Sequence, residues 1–170
     1  MASTLNVTKA LQNPGQEYPF TADAQIEEME MFGDPVRLVD VNAQGIFFGT
    51  GKTISATADV TATVISRCAR CLEEVVQPIK AEMSAEFAHQ PDPEDPDQYC
   101  FEASTLELTD AIRDALVLEL PIRFLCKEDC EGWSEYAGED MNMRSCHKEL
   151  PSQHPFAALQ QLLAEDSDQN

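Results

Sequence analysis

Residues 54–65 read ISATADVTATVI and residues 75–87 read VVQPIKAEMSAEF. In the first stretch Ile54, Ala56, Ala58, Val60, Ala62 and Val64 alternate with Ser55, Thr57, Asp59, Thr61 and Thr63. In the second, Val75, Ile79, Ala81, Met83, Ala85 and Phe87 share one parity, while Lys80, Glu82 and Glu86 take the other. A period of two sends successive side chains to opposite faces, so each stretch predicts a strand with one buried face. Two such strands joined by a short link pair as an antiparallel ribbon. The link carries CARCLEE, residues 68–74.

On the N-terminal side, Leu5, Val7 and Ala10 predict a short strand, and NPGQEYPF (13–20) reads as a loop because of Pro14 and Gly15. DAQIEEMEMF (23–32) predicts a short helix or an irregular arm. Val36, Leu38 and Val39, then Ile46, Phe47 and Phe48, flank Asn42–Gly45 and predict a hairpin.

On the C-terminal side, HQPDPEDPDQYC (89–100) predicts a solvated loop. From Glu82 to Asp110 there are nine acidic residues and no Lys or Arg. A helix follows at 105–120, started by Ser104 with Glu107 or by Thr109 with Asp110, and stopped by Pro121. Leu108, Ile112, Ala115, Leu116 and Leu120 give it the 3.6 period. FLCKEDCEG (124–132) carries a second cysteine pair, 131–153 is polar and irregular, and 155–164 predicts a last short helix. Phe156, Leu159, Leu162 and Leu163 share one face of that helix. The expected class is α+β: an antiparallel sheet with a long ribbon, one main helix, and an irregular cysteine-containing C-terminal arm. Residues 1–52 pack on a core formed by 53–125, and 126–170 form the arm, within a single domain.

The chain has 170 residues, 31 acidic against 11 basic, a net charge of -20, six cysteines and three histidines. Forty-three per cent hydrophobic residues excludes wholesale disorder. No apolar run approaches the roughly 20 residues that a membrane helix needs. MASTLNVTKA lacks the basic start and apolar core of a secretory signal, so a cytoplasmic protein is expected. In that compartment cysteines serve as free thiols or metal ligands rather than disulfides. Few basic residues argue against wide contact with nucleic-acid backbone, and an acidic surface favours basic protein partners.

Cys68 and Cys71 form C-x-x-C in the ribbon's turn, and Cys126 and Cys130 form C-x-x-x-C after the helix. Structural zinc takes four such ligands in a tetrahedron, so each pair is half a site. Four thiolates around Zn²⁺ carry a net -2 and gain from nearby cations. Arg67, Arg70, Arg123 and Lys127 all lie within three positions of these cysteines. A second reading keeps the four cysteines as small buried residues without metal. A redox reading is weaker: reactive C-x-x-C pairs want a helix N-terminus, and Glu73 and Glu74 raise a thiol pKa. Cys126, Cys130, Cys146 and His147 are an alternative ligand set. Cys100 is a buried or idle thiol, and His89 and His154 are exposed beside prolines. No nucleophile elbow, P-loop, H-E-x-x-H or dinucleotide loop is present, so no enzyme is expected.

CARCLEEVVQPI after a long alternating strand, TLELTDAIRDALVLELPIRFLCKEDCEG, and the closing HPFAALQQL together resemble the YceD-like family of bacterial large-ribosomal-RNA-subunit accumulation proteins. The resemblance covers roughly 44–165. It implies a small cytosolic protein, without catalytic activity, that supports build-up of large-subunit (23S) ribosomal RNA. Many members carry two further cysteine pairs after the second. Aligned through Gly132, Gly138 and Asn142, those positions fall here on Ser134, Ala137, Cys146 and Lys148, so three of four are lost. Retention of Cys68, Cys71, Cys126 and Cys130 then implies two independent centres, the first kept and the second abandoned. The expected partner is a basic ribosomal protein or a large-subunit assembly intermediate, with no membrane. The alternative is a zinc-stapled RNA-binding or adaptor protein unrelated to ribosome assembly, its basic spot formed by the four cations named above.

Overall fold

The computed structural model describes residues 3–31, 33–95, 97–134 and 139–140. The elements run β1 (Thr4–Asn6), α1 (Thr8–Gln12), β2 (Glu17–Ala24), β3 (Met29–Met31), β4 (Asp34–Gly49), β5 (Thr53–Arg67), β6 (Glu74–Ala88), β7 (Gln98–Cys100), β8 (Thr105–Glu107), α2 (Thr109–Glu119), β9 (Trp133–Ser134) and β10 (Glu139–Asp140). The class is α+β, as the alternating stretches imply.

β5 and β6 form the ribbon. They pair antiparallel without a break from Thr53↔Ala88 to Arg67↔Glu74. Ile54, Ala56, Ala58, Val60, Ala62 and Val64 are buried on one side of β5, and Val75, Ile79, Ala81, Met83, Ala85 and Phe87 on the same side of β6. The sheet runs β2-β4-β5-β6-β7, with β3 pairing off β4. α2 lies on this buried side with Ala111, Ile112, Ala115 and Leu116 inward. The other side presents Thr57, Asp59, Thr61, Lys80, Glu82 and Ser84 to solvent, as expected of an antiparallel sheet covered on one face.

Several expectations are corrected. No hairpin forms at Asn42–Gly45; β4 is one strand through both apolar stretches. Gly45 serves close approach rather than a turn, because a Cβ there would run into the Thr57 carbonyl oxygen and Ala58. The irregularity sits earlier: the register with β5 shifts between Val39 and Asn42, where Asp40 takes φ 53°. Within 13–20 the loop is confined to residues 13–16, since β2 begins at Glu17 and Tyr18 stacks on Phe47 at 5.6 Å. The described residues of the 23–32 segment form no helix: Asp23 and Ala24 end β2, 25–28 are irregular, and in β3 Met29 and Met31 pair with Val36 and Asp34. Leu5 lies in β1, but Val7 caps α1 and Ala10 is buried within it.

The acidic loop ends by adding β7 to the ribbon as a short parallel strand. Neither expected side-chain cap starts α2: its cap is Leu108, without a side-chain hydrogen bond, and the Leu108 amide donates to the Ser3 carbonyl at 2.9 Å. β1 and β8, paired antiparallel, thus tie the N-terminus to the helix start. The helix expected at 155–164 lies outside the described residues.

Candidate metal centre

The ribbon closes in a tight turn. The Cys68 amide donates to the Glu73 carbonyl at 2.8 Å and the Leu72 amide to the Cys68 carbonyl at 3.0 Å. Leu72 adopts φ 66°, in the left-handed region. Cys68 and Cys71 are buried beneath this turn, and Leu72 between Cys71 and Glu73 is exposed.

The chain after α2 returns to the same turn. The Ala69 amide donates to the Phe124 carbonyl at 2.8 Å, and the Trp133 amide to the Arg70 carbonyl at 2.9 Å. Arg70 reaches back, its Nη1 donating to the Cys130 carbonyl at 2.8 Å. Gly132 takes φ 80°, and a Cβ there would lie 3.2 Å from the Arg70 carbonyl oxygen, so glycine lets the two backbones meet.

This docking brings the four cysteines together crosswise. Cys68 Sγ is 3.7 Å from Cys130 Sγ, and Cys71 Sγ is 3.6 Å from Cys126 Sγ. All four sulfurs lie within 4.8 Å of one another. Metal–sulfur bonds of about 2.3 Å in a tetrahedron separate the sulfurs by about 3.8 Å, so this donor set can hold one metal ion. Three of the cysteines are buried and Cys126 is exposed.

The thiols differ in ease of ionisation. Burial of Cys68 opposes its charged form, but N–H groups of Cys71, Arg70 and Cys126 aimed at its sulfur win, and its pKa falls to about 6. The sequence expectation that Glu73 and Glu74 raise this thiol is therefore corrected: N–H groups at the sulfur outweigh the cost of burial. Cys71 behaves oppositely. Burial pushes it up to about 12, with Cys68, Cys126 and Cys130 adding to the rise against the Glu73 amide. Cys126 is also raised, first by loss of water around its sulfur and then by Cys130. One site thus carries one ready thiolate beside thiols that resist ionisation until a cation balances them. Cys68 directly follows the end of β5 and does not open a helix, so its lowering comes from the amides of the turn rather than from a helix N-terminus.

Of the four cations expected around the centre, Arg70 alone uses its side chain on a cysteine segment among the described residues. Arg67 ends β5 opposite Glu74. The Lys127 carbonyl accepts from the Cys130 amide at 3.2 Å, while its side chain and that of Arg123 are exposed. Cys100 is exposed and takes no part in the cluster. His89 is exposed as expected, its Nδ1 3.0 Å from the Phe101 carbonyl oxygen. Cys146 and His147, two members of the alternative ligand set, lie outside the described residues. Sequence reasoning missed the contacts of Gly132, Trp133 and Phe124 with the turn; the glycine two residues after Cys130 was their one visible signal.

Residues 56–163 match the family described as Large ribosomal RNA subunit accumulation protein YceD. The chain is 25% identical over 162 residues to the Uncharacterized protein YlbN of Bacillus subtilis (strain 168), covering 92% of this chain and 94% of that protein. It is 28% identical over 120 residues to the Uncharacterized protein Rv2926c of Mycobacterium tuberculosis (strain ATCC 25618 / H37Rv), covering 68% of this chain and 58% of that protein. It is 26% identical over 144 residues to the Uncharacterized protein ML1660 of Mycobacterium leprae (strain TN), covering 81% and 64%. No solved structure matches.

Proposed function

The chain belongs to the family of large ribosomal RNA subunit accumulation proteins named YceD, and from that premise we propose that it is a non-enzymatic ribosome-biogenesis factor. It supports accumulation of 23S ribosomal RNA by binding a basic ribosomal protein, or a basic patch on a large-subunit assembly intermediate. The supporting observation is the family match across ribbon, helix and both cysteine segments, in a chain of net charge -20. Such a surface attracts basic ribosomal proteins and shields them from premature contact with RNA.

Within that reading the metal is zinc and its role is structural. Cys68, Cys71, Cys126 and Cys130 supply four ligands and leave no coordination position for substrate. Zinc there supplies folding energy by locking the post-helix segment onto the ribbon tip.

The test is deletion of the gene with complementation, reading the ratio of 23S to 16S RNA. Loss of 23S RNA restored by the wild-type chain is expected. An unchanged ratio in the deletion overturns the reading.

A further inference from the structure

Among the described residues, strand β6 has one neighbour along most of its length. β5 pairs with all of it, while β7 covers only Glu86–Ala88 on the other side. The direction of its backbone groups follows from one bond: the Glu86 amide donates to the Asp97 carbonyl at 3.1 Å, away from β5. In a strand, alternate residues point their backbone groups the same way. Those of Val76, Pro78, Lys80, Glu82 and Ser84 therefore face the open edge, and none of them bonds to a described residue. Pro78 fits this assignment, since proline is tolerated where no ladder partner awaits its nitrogen. An open edge is a row of unpaired donors and acceptors that templates another strand.

A depression straddles this edge. Asp59, Thr61, Lys80 and Glu82 border it from the solvent side of the sheet, and Glu119 from the end of α2. Asp59 and Glu82 stand directly opposite each other across β5 and β6, a like-charge juxtaposition that destabilises the free sheet. Glu119 is the last residue of α2, where the carbonyl ends of the helix add further negative potential. Three carboxylates thus meet one ammonium, Lys80, beside an unsatisfied backbone edge.

We propose that the edge of β6 from Val76 to Ser84 is the docking site for an extended lysine- or arginine-rich segment of a protein partner. The segment adds to the sheet by main-chain hydrogen bonding and seats a cationic side chain among Asp59, Glu82 and Glu119. This rests on the reading that the partner is a basic protein, and adds where it binds and in what conformation. A second copy of this chain is a poor occupant, because it brings another charge of -20 and sets Pro78 and Lys80 against its own edge.

The test uses the full metal-loaded chain and a short synthetic peptide alternating lysine and threonine. Calorimetry should show binding that E82Q/E119Q weakens about tenfold or more, whereas D92N/E94Q, which removes equal charge from the acidic loop, changes it less than about twofold. Hydrogen exchange should show bound peptide protecting the amides of Val76, Lys80, Glu82 and Ser84, not their odd-numbered neighbours, which already bond to β5. Equal loss in both double variants, unprotected edge amides, or self-association in place of peptide binding overturns the proposal. If E82Q/E119Q still recovers basic ribosomal proteins from cells as well as wild type, the placement fails and the functional reading survives. If wild type recovers RNA without basic proteins, both fall.

Discussion

The sulfurs of Cys71 and Cys126 lie 3.6 Å apart although the residues are 55 positions apart in the chain. Each comes from a different cysteine pair, as do Cys68 and Cys130. Among the described residues neither pair completes a four-ligand site alone, and the ribbon tip and the segment after α2 together bring four sulfurs to one place.

Metal analysis of the purified chain should give one ion per molecule. Cys71→Ser and Cys126→Ser should each lose it, and Cys100→Ser should keep it. Chelation should lower unfolding stability by at least about 3 kcal/mol, because the ion bridges segments otherwise joined by a few backbone bonds. A Cys71→Ser protein with full metal content, alongside loss on changing Cys146, would transfer the site to Cys126, Cys130, Cys146 and His147.

Metal uptake should release fewer protons than the four thiols carry, since Cys68 with a pKa of about 6 enters as thiolate near neutral pH. For the metal-free protein the sign follows from linkage. Cys68 falls from 9.0 to about 6 on folding, so its stabilisation is full above 9 and lost as pH falls to 6. Cys71 rises to about 12, so its contribution is full below 9 and lost as pH climbs towards 12. Urea midpoints from pH 6 to 9, compared with Cys68→Ser, should show the first slope disappear in the variant.

Tyr99 links β7 to the helix, its hydroxyl donating to Asp114 Oδ2 at 3.0 Å. Burial and this bond raise it from 10.0 to about 12. Its stabilisation is therefore intact below pH 10 and lost between 10 and 12. Tyr99→Phe should cost about 1 kcal/mol at neutral pH. The same change should remove one late-ionising tyrosine from an alkaline absorbance titration.

Gly45→Ala should destabilise by about 2 kcal/mol or more, because the new methyl meets the Thr57 carbonyl and the Ala58 side chain of the neighbouring strand. Phe87→Ala, at a fully buried position of β6, should cost about 3–5 kcal/mol. Chemical denaturation checks both; a neutral Gly45→Ala would return that glycine to the turn the sequence first suggests.

The ribbon was legible because its physical cause is local. One-sided burial demands a period of two, and Ile54 to Val64 obey it without interruption. α2 was legible for the same reason at a period of 3.6, and the four cysteines by residue type and spacing. Position 45 was misread because a glycine that permits close strand approach looks identical, in sequence, to one that permits a turn. Tertiary structure alone decided the rest: that Ala69 bonds to Phe124, that Cys68 comes within 3.7 Å of Cys130, and that β6 keeps an edge unpaired by the described residues. These depend on contacts between distant segments, whose distances no local periodicity encodes.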